Sequence, residues 1–151
     1  MKQTIWFDMD GTIADLYADP DWLPKLRAYD PSPYAEANVM HNMNLLARLL
    51  HRVQAAGYAI GIISWLSKFP TPEYNEAVTS AKLNWLNQHL HSVRFDEIHI
   101  VKHGTPKSSF MNTPHDILFD DEEGNRTEWS GKAYEPSDII SILKTLSTAE
   151  K

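Results

Sequence analysis

The stretch Ile5-Trp6-Phe7-Asp8-Met9-Asp10-Gly11-Thr12 passes from an apolar run into two acids, a glycine and a threonine. A strand buried on both faces is apolar throughout, and aspartate is a poor strand former that is costly to bury. Thr4 to Asp8 is therefore predicted as a buried strand with the acids at its end, where a sheet often carries function.

Working outward, Asp15 to Pro33 contains Pro20, Pro24, Pro31 and Pro33, which predicts a loop-rich insert with at most a short helical turn at Trp22 to Tyr29. From Tyr34 to Ala56, Val39, Met43, Leu46, Leu50 and Val53 recur at three and four residues before Gly57, the pattern of a helix with one buried face. That spacing also places Met40 and Met43 in the core. Tyr58 to Ser64 reads as a second buried strand. Thr71 and Pro72 open a helix as N-cap and first residue, with Tyr74, Val78, Ala81, Trp85 and Leu86 inward. Glu97 to Val101, Asp116 to Asp120 and Lys132 to Tyr134 are further strands, and Pro136 to Leu146 closes the chain as a helix.

Strands alternating with helices predict parallel pairing with right-handed crossovers, a three-layer α/β/α, Rossmann-like sheet. Ligands bind such sheets at the carboxyl ends of their strands. The first strand ends at Asp8, the second at Ser64 and the fourth at Asp120-Asp121, so these three ends define the expected site.

The 151 residues suit a single domain, 1–151, and five Trp, six Tyr and five Phe exclude a disordered chain. Without cysteine there are no disulfides, thiolate nucleophiles or Cys-based metal sites. The seven histidines show no metal-ligand spacing. The first apolar run is too short for a signal peptide or a membrane span, so a cytoplasmic protein is expected. A net charge of -6 argues against general coating of nucleic acid, but not against a small phosphorylated substrate neutralised locally by a cation.

Asp8, Asp10, Asp120 and Asp121 brought together would repel one another unless a cation sits among them. An all-oxygen donor set selects a hard ion, Mg2+. Asp8 is then either a metal ligand alone or a nucleophile toward phosphorus. Asp10 can protonate the leaving oxygen and later activate water. Gly11 permits a sharp turn that brings backbone N–H groups to a phosphate, and Thr12 adds a hydroxyl.

DMDGT, a strand ending in Ser64, a downstream lysine and ILFDD, in that order, resemble the motifs of the haloacid dehalogenase superfamily of phosphotransferases. The resemblance implies Asp8 as nucleophile, Asp10 as general acid and base, and the Ser64 hydroxyl on the phosphoryl group. It implies Mg2+ held by the Asp8 side chain, the Asp10 carbonyl and the acidic pair, with Asp121 direct and Asp120 acting through water. An acid at Asp10 separates phosphatases from the dehalogenases and transport ATPases of that superfamily. The phosphate-binding lysine falls on Lys107 or Lys102, with Lys107 favoured because it follows Pro106 at a loop-to-helix position.

A finer resemblance, AKLNWLNQH, DEIHIVKHGTPK and HDILFDD over Lys82 to Asp121, is to the 5′(3′)-deoxyribonucleotidase branch. It implies a nucleoside monophosphate substrate; Trp65, which directly follows Ser64, either lines the pocket, where its face could stack on a base, or simply packs. It departs at Trp65-Leu66-Ser67, where that branch would carry Ser-Pro. The short insert implies a minimal or absent cap, and an open site could take polynucleotide ends or another large phosphorylated partner, or be covered by a second subunit of an oligomer. A non-enzymatic Mg2+ and phosphate-binding regulatory module is the remaining alternative. Glu122, Glu123 and Asn125 are expected to be solvated loop residues.

Overall fold

The structure, a computed structural model, describes residues 1–68 and 71–148; the last three positions of the expected 1–151 domain lie outside the described residues. Its strands are β1 (Thr4–Phe7), β2 (Ala14–Asp15), β3 (Asn38–Val39), β4 (Ala59–Trp65), β5 (Glu97–Val101), β6 (Ile117–Phe119) and β7 (Lys132–Tyr134). The main sheet is parallel in the order β5-β4-β1-β6-β7, while β2 and β3 form a separate antiparallel ribbon. The helices are α1 (Trp22–Arg27), α2 (Ser32–Ala35), α3 (Met43–Ala55), α4 (Pro72–His89), α5 (Glu123–Glu128) and α6 (Ile139–Thr148). No helix among the described residues is long and apolar enough to cross a membrane.

Every residue of β1 is buried, as a central parallel strand requires, and alternation sends its side chains to two cores. Ile5 and Phe7 join Ile60, Ile62 and Phe119 beneath α3, α6 and the end of α4, with Leu46, Leu50, Val53, Trp85 and Leu143 completing that layer. Trp6, Ile63, Leu118 and Trp129 form the opposite core, covered by α5 and the short turn at Lys107–Phe110. The α/β/α class is as expected, with one helical layer thick and the other thin. Gly61, paired in register with Trp6, lies under its ring, and a Cβ there would meet the indole at 2.4 Å. The indole N–H donates to buried Asp116, which also receives the Thr4 N–H.

The expected N-terminal helix turns at Thr71 and Pro72: the Tyr74 N–H donates to the Thr71 hydroxyl, and Tyr74, Val78, Ala81, Trp85 and Leu86 are buried. The expected helix from Tyr34 is different. It begins only at Met43, where Asn42 accepts the Leu45 N–H, and its first turns are replaced by α2 and the β2–β3 ribbon. Val39 pairs with Ala14, and both Val39 and Met40 are exposed, so neither belongs to a core stripe. Met43 does pack on the core.

The segment between β1 and α3 is thus a small structured insert that reaches further along the chain than Pro33. Leu16, Leu26 and Tyr34 pack on Tyr74, Val78 and Ala81 of α4, which anchors the insert beside the carboxyl ends of the strands.

Candidate active site

After β1 the chain turns tightly: the N–H groups of Thr12, Ile13 and Ala14 all point to the Met9 carbonyl, and Gly11 N–H donates to Ala14 O at 2.8 Å. Met9 is buried, and the alternation throws Asp8 and Asp10 toward the same cavity. Gly11 is required twice over. Its φ is +78°, and a Cβ would stand 2.3 Å from Asp121 Oδ2. These hydrogen bonds correct one expectation: the Gly11 and Thr12 N–H groups are engaged within the turn rather than turned to a ligand. The Thr12 hydroxyl is fully buried and donates to Asp8 Oδ2 at 3.1 Å, so Thr12 braces Asp8.

Lys107, from the turn after β5, is 1% exposed and bridges Asp8 Oδ1 at 2.9 Å and Asp120 Oδ2 at 2.7 Å. Burial acts to lower its pKa, but the two carboxylates outweigh it and hold the ammonium above its ordinary value. Lys102 is exposed beyond β5 and lies outside the cavity lining, so of the two lysines it is Lys107 that reaches the acids.

Among the described residues, Asp8, Asp120 and Asp121 each place a carboxylate oxygen within 4.8 Å of the others. Burial, followed by the charge of Asp8, pushes Asp121 up to about 8 and Asp120 up to about 6, Lys107 opposing the shift at Asp120. Crowded carboxylate oxygens of this kind could hold a cation, and the donor set fits a hard metal ion. The two acids of the pair differ. Asp120 is fully buried and engaged by Lys107, the Asn125 side chain and the Glu122 N–H, whereas Asp121 lines the cavity. Asn125 is therefore buried against Asp120 rather than solvated, while Glu122 and Glu123 are exposed as expected.

Ser64, at the end of β4, is fully buried and accepts from Lys82 Nζ at 2.5 Å. Lys82 is the site residue that sequence reading passed over. It sits on α4 and also donates to Asp10 Oδ2 at 2.9 Å. The signal was present: it lies four residues after Val78 and three before Trp85, so a charge interrupts the buried stripe. Asp10 stands apart from the three-acid group, its pKa raised by burial and opposed by Lys82.

The cavity over these groups measures about 430 Å3. Asp8, Asp10, Lys107 and Asp121 form its floor, while Trp22, Leu23, Leu26 and Tyr34 of the insert, Trp65 at the end of β4 and the following Leu66 are among its walls. Trp65 is fixed by its indole N–H donating to Thr105 O at 2.8 Å; one face approaches Lys107 Nζ at 5.4 Å, and the His103 ring lies 4.7 Å away.

No protein-family model matches the chain, and no curated protein matches it. In fold it is similar to the crystal structure of D,D-heptose 1,7-bisphosphate phosphatase from Burkholderia thailandensis, with a TM-score of 0.56 covering 98% of this chain and 100% of that one. The sequences are 12% identical, so the likeness is one of fold, and it agrees with the α/β class expected from the sequence.

Proposed function

We propose that the chain is a phosphoric monoester hydrolase of the haloacid dehalogenase type, acting through an aspartyl-phosphate intermediate. The observation that carries the reading is the division of labour between two acids on one cavity floor. Asp8 is oriented by Lys107 and Thr12, and Asp10 is held separately by Lys82. A purely binding site has no use for a second, independently held acid, which argues against the regulatory module.

An Asp8 oxygen attacks phosphorus as the bond to the leaving oxygen breaks, and Asp10 delivers a proton to that oxygen. Burial shifts its pKa upward, the direction this step requires, while Lys82 opposes the shift. Asp10, now a carboxylate, takes a proton from water as the water attacks the phosphorus of the aspartyl phosphate, freeing Asp8 and inorganic phosphate. Lys107, paired with two carboxylates, supplies positive charge beside the transferring group, while Ser64, fully buried and outside the cavity lining, is tied to the site through Lys82. Asp8 and Asp121 would hold Mg2+ directly, with the Asp10 carbonyl, while Asp120 acts through water and steadies Lys107. When bound, the ion neutralises phosphoryl charge.

The substrate proposed is a nucleoside monophosphate. A walled cavity of about 430 Å3 has the size of a small-molecule pocket, which favours such a substrate over polynucleotide ends. Trp65 and Trp22 on its walls provide flat apolar surface for a base. The structural neighbour gives the nucleotidase branch no particular support, so sugar phosphates are the class to be tested against it.

Phosphate release from 5′- and 3′-nucleotides, sugar phosphates and a 3′-phosphorylated oligonucleotide, with and without Mg2+, tests the reading. Mg2+-dependent release with preference for mononucleotides supports it. Release from sugar phosphates alone replaces the substrate, and absence of release across the panel removes the enzyme.

A further inference from the structure

We propose that Lys82 is a positioning residue for proton transfer, acting through Asp10 and Ser64; this rests on the phosphatase reading above. Its ammonium is 1% exposed and surrounded by three acceptors: Asp10 Oδ2 at 2.9 Å, Ser64 Oγ at 2.5 Å and Trp65 O at 2.8 Å. An ammonium has three protons, and all three are used. None remains for a substrate, and Lys82 is not among the residues lining the cavity. The Tyr34 ring, 5.0 Å away, lies against the same ammonium and further separates it from water.

These partners come from different elements. Asp10 follows β1, Ser64 and Trp65 end β4, and Lys82 reaches both from α4. One cation thus fixes the proton donor relative to the end of β4, where it holds the buried Ser64 hydroxyl. Because the Ser64 oxygen accepts from Lys82, its own proton is directed elsewhere. Lys82 itself neither gains nor loses a proton in the cycle: the proton released to the leaving oxygen comes from Asp10, and the one restored to Asp10 comes from water.

Stability alone accounts poorly for this lysine. A buried ion pair is commonly no more stabilising than a well-packed apolar residue, and Lys82 occupies a stripe otherwise filled by Tyr74, Val78, Ala81, Trp85 and Leu86. Methionine at this position would satisfy the stripe and leave Asp10 unaligned.

The test compares leaving groups in Lys82→Met and Lys82→Gln, the second retaining a donor, each verified as folded by circular dichroism. With Mg2+ present, kcat/KM for an alkyl phosphate that the unmodified chain hydrolyses, which reports the steps up to the aspartyl phosphate, should fall about 100- to 1,000-fold, the scale of general-acid catalysis. For para-nitrophenyl phosphate, whose leaving group departs without a proton, the loss in kcat/KM should stay below about tenfold, while kcat falls through the slower attack of water on the intermediate that both substrates share. In an Asp10→Asn background, Lys82→Met should cost less than about threefold more, because the two side chains act as a unit. Equal losses in kcat/KM on both substrates, or effects that multiply fully with Asp10→Asn, would overturn the assignment. An unmodified chain inert toward both substrates would instead overturn the phosphatase reading, a failure that the leaving-group comparison keeps distinct.

Discussion

Asp8 and Lys107 are 99 positions apart in the chain, yet Lys107 Nζ lies 2.9 Å from Asp8 Oδ1, with both residues withdrawn from solvent. The same ammonium is 2.7 Å from Asp120 Oδ2, so one lysine compensates two buried acids.

Removing that cation should therefore be felt in stability as well as activity. Lys107→Met leaves carboxylates buried without their partner, a change that costs about 3–5 kcal/mol in typical interiors. Urea unfolding near neutral pH in the presence of a chelator measures it. A loss below about 1 kcal/mol would show that the acids do not depend on Lys107.

Gly11→Ala tests the turn. The added Cβ meets the Asp121 carboxylate at a backbone φ of +78°, so backbone and acid cannot both keep their places. A destabilisation of about 1–3 kcal/mol is expected, together with a rise of at least tenfold, as an order-of-magnitude figure, in the Mg2+ concentration needed for half-maximal activity. Unchanged Mg2+ dependence would separate Asp121 from the metal.

Stability should depend on pH in a direction set by the acidic pair. In the folded chain Asp120 and Asp121 are pushed up to about 6 and about 8, above the ordinary value of 3.8. The folded state therefore binds these protons more tightly than the unfolded state. The resulting stability is complete below about pH 4 and is lost as the pH rises through 6 and then 8. Mg2+ needs the ionised carboxylates, so its stabilising effect should grow over the same window. Melting temperatures from about pH 5 to about pH 8.5, with chelator and with excess Mg2+, should diverge as pH rises; parallel curves would contradict a metal site at these acids.

Trp65 offers a test of substrate class. Trp65→Leu keeps apolar contact but removes the ring face, and should raise KM for a nucleotide about tenfold, the scale of one stacking contact, while leaving KM for simple alkyl phosphates and product inhibition by inorganic phosphate nearly unchanged. A uniform rise for all substrates would mean that Trp65 serves the floor through Lys107 rather than reading a base.

The sheet was legible because its central strands are buried on both faces and so read as short apolar runs; Ile5 to Phe7 and Ile60 to Ile63 are examples. The acids and Ser64 followed from the strand ends. The long helix expected from Tyr34 failed because Val39 continues the apolar spacing by coincidence, while the local cap at Asn42 marks the true start. The insert's role as a cavity wall depends on Leu16, Leu26 and Tyr34 finding α4, contacts that no local pattern encodes. Lys82 and Asn125 were missed for the same reason: each is a polar side chain whose meaning lies in an acid supplied by another part of the site.

The proposed reaction requires Asp8 to become phosphorylated. Rapid mixing of the Mg2+-loaded chain with phosphoryl-labelled substrate, acid quenching and peptide mapping tests it most directly. Transient label is expected on the peptide containing Asp8, prolonged in Asp10→Asn, where water is no longer activated, and absent from a folded Asp8→Asn chain that has lost at least about a thousandfold in turnover. Turnover with no label on Asp8 at any time, or full activity in Asp8→Asn, would contradict it.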